Sequence, residues 1–323
     1  MAERWNGDDE ADAGGGTIIV RRRRGRRIAT IASLTFLILL IVALALAWVA
    51  RRQIASNFLR DEFEGRGVQA SYNLDRIGLR TQQVSNLVIG DPKKPDLLAK
   101  FAQVEVRLKW NGSFEVYRIV ARGVRLRGRL VKGKVSWGQV DKLLPPPSGK
   151  PFQLPDFALD IADSTISLAT PFGPFGIAIE GQGKLTGGFK GKVAAVSPRI
   201  VPGRCEMTNM RTNLAVDVVA RRPHAVGPLT VDRLVCPSSR FEIVKPRFEV
   251  DTRFNESLTN YDGKGRMAIE TLVAGENGLA AFVGNLTFNG NPEATYGTLK
   301  LSAQRSRLAD IYADRTRLEG KYR

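Results

Sequence analysis

The residue types that carry most enzyme chemistry are scarce in this chain and poorly spaced for it. Its one histidine, His224, stands between Pro223 and Ala225, next to Arg221 and Arg222, a setting that reads as a loop. With only Cys205 and Cys236 for company, and no paired Cys/His spacing, it makes no metal site. There is no Gly-x-Ser-x-Gly elbow and no P-loop. Gly181-Gln182-Gly183 lacks the third glycine of a dinucleotide turn and falls inside an alternating run. Of the carboxylate pairs, Asp61/Glu62 falls in a helical stretch, and Asp160/Asp163 reads as solvated strand and turn positions. Neither an enzyme nor a cofactor is expected. The two cysteines suit either one disulfide in an oxidising compartment or two separate buried thiols. Their shared stretch between Pro202-Gly203 and Pro237-Ser238 favours the bridge.

What the chain does carry is positive charge. The net charge is +17, and residues 1–27 supply only +2 of it, from seven basic and five acidic side chains. Residues 28–50 supply none, so the rest lies on 51–323. Arg125, Arg127 and Arg129, with Lys132 and Lys134, form the densest run. Guanidinium groups beside an apolar surface can hold a phosphate head group. The same residues also serve as the wet face of a strand that resists edge-to-edge pairing. A body this basic attracts nucleic acid, anionic lipid or acidic polysaccharide. The location argued next removes nucleic acid.

Ile28–Val49 is a 22-residue run without charge, roughly 33 Å long as a helix, and it matches a bilayer core. Arg21, Arg22, Arg23, Arg24, Arg26 and Arg27 precede it, whereas only Arg51 and Arg52 follow. This asymmetry keeps residues 1–27 in the cytoplasm and sends the body across. A cleaved signal peptide, with Ala45-Leu46-Ala47 as the cut site, is the rival reading, but the run is too long for an h-region of about 7–15 residues. Residues 50–66 then show Ile54, Phe58, Leu59 and Phe63 at helical spacing and end at glycines, which predicts a juxtamembrane helix.

From residue 67 onward the period drops to two. Val104, Val106 and Leu108 alternate with polar residues; so do Val124, Leu126 and Leu130, then Leu159 and Ile161, Ile166 and Leu168, and Ile177 and Ile179. Further strands are expected at 189–193, 214–218, 241–244, 247–251, 267–273, 280–288 and 298–303. Lys132-Gly133-Lys134 reads as a hairpin turn and Ser136–Leu144 as a short helix. The Pro-rich stretch at 145–155 is the one candidate internal break in a body spanning 67–323. The expected fold is mainly β: a transmembrane helix, a juxtamembrane helix and an extended, curled antiparallel sheet. One face of that sheet is apolar and must be covered: a second sheet would make a sandwich, and with no long helical stripe after residue 66 the other choices are closure of the sheet on itself, a lipid or another chain.

Several segments resemble the AsmA-like superfamily of bacterial envelope proteins, and more closely its YdbH branch, beside TamB. The segments are VSNLVIGDPKKP at Val84–Pro95, RGVRLRGRLVKGKVSWGQVDKLL at Arg122–Leu144, and the Thr170-Pro171-Phe172-Gly173 turn. The resemblance implies a taco-shaped β groove, inner-membrane anchoring with the body in the periplasm, and phospholipid movement between inner and outer membranes. Family members are longer, so the chain is expected to be the N-terminal portion of a longer protein. An outer-membrane protein or lipoprotein is the expected partner. On this reading acyl chains lie on Val104, Val106, Leu108, Val124, Leu126, Leu130, Leu159, Ile161, Ile166, Leu168, Ile177 and Ile179, with Arg125, Arg127 and Arg129 for head groups. The competing reading is a bitopic periplasmic scaffold that offers a strand edge to outer-membrane proteins.

Overall fold

A computed structural model describes residues 63–78, 80–144, 152–291 and 293–323. The predicted anchor therefore lies outside the described residues, as does all of the predicted juxtamembrane helix before Phe63. Residues 63–65 are helical. Among the described residues no helix is long and apolar enough to cross a membrane.

All eighteen described strands belong to one sheet. The chain opens with β1 (Ala70–Ile77), β2 (Thr81–Ile89), β3 (Leu97–Leu108) and β4 (Phe114–Val131), each antiparallel to the one before. The Lys132-Gly133 turn folds back the short β5 (Lys134–Ser136), and a 3-10 helix follows at Gly138–Leu143. The next strand, β6 (Ala158–Thr170), pairs with β4 in parallel. An all-antiparallel sheet therefore needs correcting to a mixed one. The chain from Val131 to Ala158 is long enough for the crossover that parallel pairing demands.

After β6 the chain meanders through β7 (Gly173–Lys184), β8 (Lys190–Ile200) and β9 (Glu206–Val219). Two interrupted rows follow. The strands β10 (Arg222–Thr230) and β11 (Arg233–Cys236) share one row against β9. In the next row, β12 (Phe241–Val244) and β13 (Arg247–Phe254) both pair with β14 (Tyr261–Ala274). The last strands are β15 (Asn277–Gly290), β16 (Thr295–Leu308), β17 (Ile311–Ala313) and β18 (Thr316–Tyr322). Pro246 interrupts the β12–β13 row because it has no N–H for a ladder.

His224 lies inside β10, which corrects the loop expectation. Pro223, Gly227 and Pro228 make this segment read as a turn, yet it is paired on both sides, to β9 and β13. Asp160 and Asp163 are not simply solvated either. Asp160 accepts from Arg118 at 3.3 Å and Arg122 at 2.7 Å, and Asp163 accepts from Arg125 at 2.7 Å and Lys100 at 3.3 Å. Cys205 and Cys236 are joined as a disulfide that ties the start of β9 to the end of β11.

Candidate functional site

Strand alternation alone would scatter the apolar residues of this sheet over both faces. Within β4, for example, Ile119 and Ala121 are odd-numbered, whereas Val124, Leu126 and Leu130 are even. A residue outside the extended region resets the alternation, because it adds a step that does not turn the chain over. Asn86 (φ 49°), Gly123 (φ 63°) and Asp163 (φ 47°) are such residues. Register places them side by side: Asn86 faces Lys100, Lys100 faces Gly123, and Gly123 runs beside Asp163. Together they form a crease across four strands. Only glycine fits at 123, where a Cβ would lie 2.6 Å from the Lys100 side chain and φ is left-handed.

Strand β7 carries positive φ only near its two ends, at Gly173 and Gly183, so its odd residues all share one face, half-buried, while most of the even ones are exposed. That face reads Phe175, Ile177, Ile179, Gly181 and Gly183. Across from it stand Leu168, Ile166, Ser164, Ile161 and Leu159 in the same order. The parallel ladder carries the face on to Ile119, Ala121, Leu126 and Gly128 of β4, and Leu130 follows by alternation. From there it reaches Leu97, Ala102 and Val104 of β3. A bulge at Tyr117 then brings Val106 opposite Val116 and Leu108 opposite Phe114. All twelve apolar residues singled out in the sequence thus lie on one face of one sheet.

The face continues into the second half. Val193 and Leu214 pair with each other on it, and Ala195 of β8 stands opposite Ile177. A second crease runs through Lys245 (φ 49°), Glu270 and Ala281 (φ 48°), with the Lys245 ammonium 2.8 Å from the Glu270 carboxylate. Ile269, Phe282, Leu301 and Ala303 form a buried cluster there, with Met267, Leu272 and Leu279 packed on it. Residues from both sides of the crease join in this cluster, so the alternation has reset here too. Burying each large apolar side chain contributes roughly 1.5–3 kcal/mol.

Glycines on this face make room for rings. A Cβ on Gly181 would meet the Phe189 ring at 2.6 Å, and one on Gly263 would meet Phe288 at 2.6 Å. A Cβ on Gly128 would be 2.5 Å from Trp137. Trp137 therefore lies over the apolar face at β4, and the 3-10 helix after it is tied down beside it. Gln139 donates its backbone N–H to Asp96 at 2.9 Å, and Lys142 donates to the Gly67 carbonyl at 2.6 Å. Among the described residues no second sheet covers the rest of the face.

Arg125, Arg127 and Arg129 alternate with Leu126, Gly128 and Leu130, so they point to the opposite face. Arg125 is held by Asp163, and that pairing, with Lys100 adding to it, holds the Asp163 carboxyl below its usual range. Arg127 and Arg129 make no ion pair among the described residues. Both border an open cavity of about 590 Å³ with Lys94, Ser167, Pro174 and Val196. The sequence run thus splits into one arginine that braces the crease and two without an ion pair among the described residues.

Sequence comparison matches residues 38–306 to a family model of YdbH-like proteins, described as intermembrane phospholipid transport protein YdbH. The chain belongs to the YdbH-like family. No curated protein and no solved structure matches it. In this YdbH-like chain the match covers every described strand up to β16, including both creases. Among the described residues of the YdbH-like body, no group of three His, Cys, Asp or Glu could hold a metal.

Proposed function

We propose that this chain binds phospholipid acyl chains along the apolar face of its sheet and passes them between the inner and outer membranes. On this reading the creases curl the sheet into a groove lined by Val104, Val106, Leu108, Val124, Leu126, Leu130, Leu159, Ile161, Ile166, Leu168, Ile177 and Ile179. The observation that carries it is the continuity of that face. Broken alternation keeps these twelve residues on one side, and no second layer covers them among the described residues. Removing apolar area from water, at about 25 cal/mol per Å², would hold acyl chains there without specific bonds. Movement would be passive, with direction set by a gradient or a partner. The anchor at Ile28–Val49 would fix the chain in the inner membrane, with the body in the periplasm. Head groups would sit at the rims formed by strand ends, since Arg127 and Arg129 lie behind the face.

The test is the lipid content of the purified full chain, read by mass spectrometry after extraction. Phospholipid should co-purify with the unmodified chain and be lost from one carrying Leu126→Asp and Ile179→Asp. A folded chain without lipid would sink the groove.

A scaffold reading keeps one observation of its own. Among the described residues β17 and β18 pair only with β16, and Ile311, Tyr312 and Leu318 are 70%, 71% and 60% exposed on that edge. An added strand from a partner would cover them. Capture of a partner strand by a lipid-free body would favour this reading.

A further inference from the structure

The hairpin between β3 and β4 ends in an exposed apolar tip. Trp110 is fully exposed, and Leu108 and Phe114 beside it are 64% and 65% exposed. The tip is nonetheless closed by hydrogen bonds. The Lys109 N–H donates to the Ser113 carbonyl at 2.8 Å, and Asn111 Oδ1 accepts from the Ser113 N–H at 3.1 Å. Arg107 and Lys109 both grip Glu115, at 2.8 and 3.0 Å, so the hairpin stem is cross-linked behind the tip. A rigid turn that presents an indole and two apolar side chains wastes them in water, whereas an indole suits the boundary between head groups and acyl chains.

The tip is also the open end of the apolar face. Leu108 and Phe114 stand opposite each other, followed by Val106 and Val116, then Val104 and Ile119. We infer that this hairpin dips into a phospholipid bilayer surface and is where lipid enters the face. The inference rests on the transport reading above.

The experiment uses the full chain reconstituted through its N-terminus into phosphatidylethanolamine–phosphatidylglycerol vesicles. With both native cysteines in the disulfide, Trp110→Cys provides one labelling site for an environment-sensitive dye, and Glu276→Cys provides a control. Lipid-borne spin labels should quench the dye at 110 and leave the dye at 276 unaffected. Equal or absent quenching at both sites overturns bilayer contact. In the second arm, Trp110→Ser should slow lipid uptake from donor vesicles about ten-fold or more, with bound lipid at saturation unchanged. An unchanged uptake rate overturns the entry role. A chain that holds no lipid at all overturns the transport reading instead, and quenching at 110 still decides bilayer contact.

Discussion

His224 and Asp251 join adjacent strands through a 2.8 Å contact from the ring Nε2 to a carboxylate oxygen, and the other ring nitrogen lies 3.0 Å from Asp217. A carboxylate can only accept, so both ring nitrogens are satisfied as donors only when the imidazole is protonated. The hydrogen bond to Asp251 is the largest cause of a raised His224 pKa; burial opposes it and Asp217 adds to it. Asp251 is lowered in return, chiefly by His224.

The sign of the resulting pH dependence follows directly. A raised histidine contributes in full below its ordinary pKa, near 6.5, and loses that contribution as pH rises through the raised value. A lowered carboxylate contributes above its ordinary range and loses this as pH falls through the lowered value. The tie across β9, β10 and β13 is therefore strongest between about pH 4 and 6.5. Urea unfolding of the full chain should show stability falling from pH 6 to pH 9. His224→Asn should lose roughly 1–2 kcal/mol at pH 6 and show a flatter profile. A variant with an unchanged pH slope would remove His224 as its source.

Gly123 tests the crease. Valine there must adopt φ 63° and place its Cβ within 2.6 Å of the Lys100 side chain. The cost should be about 3 kcal/mol or more. Gly320→Val is the control, since nothing lies within 4 Å of a Cβ there; it should change stability by less than about 1 kcal/mol. Similar midpoints for both variants would mean that the crease tolerates an ordinary side chain.

The disulfide closes a loop from β9 to β11. Replacing Cys205 and Cys236 with serine should cost roughly 3 kcal/mol, mainly by freeing the unfolded chain. Reduction of the unmodified protein should lower its thermal midpoint in the same way and leave the double-serine variant unaffected. A variant as stable as the parent would show that the three strands hold without it.

Much of the strand content was legible because exposed and half-buried residues alternate over long stretches. Strand β7 is the clearest case, with Ile177 and Ile179 against Ala178 and Glu180. The Lys132-Gly133 turn and the short helix after Ser136 were also readable, from turn residues and local spacing. By contrast, β18 escaped notice. Its Leu318 and Tyr322 flank Gly320 among charged residues, too few apolar side chains to set a period. Strand β10 was hidden by its prolines, which the ladder accommodates between β9 and β13.

The sequence by itself determined that this is a β-rich body behind a charge-free, bilayer-length segment, with one basic and one apolar set of strand positions. Those are local properties: period two, turn residues, and the arginines flanking the apolar run. Only the tertiary structure decided which apolar positions share a face. Each strand carries its own phase, and one left-handed residue reverses it, so facing is settled only when Gly123 meets Lys100 and Asp163 across the ladders. The same holds for charge. Arg125, Arg127 and Arg129 are equivalent in the sequence, yet Asp163 approaches only the first of the three, because the β6 bulge brings its carboxylate between Arg125 and Lys100.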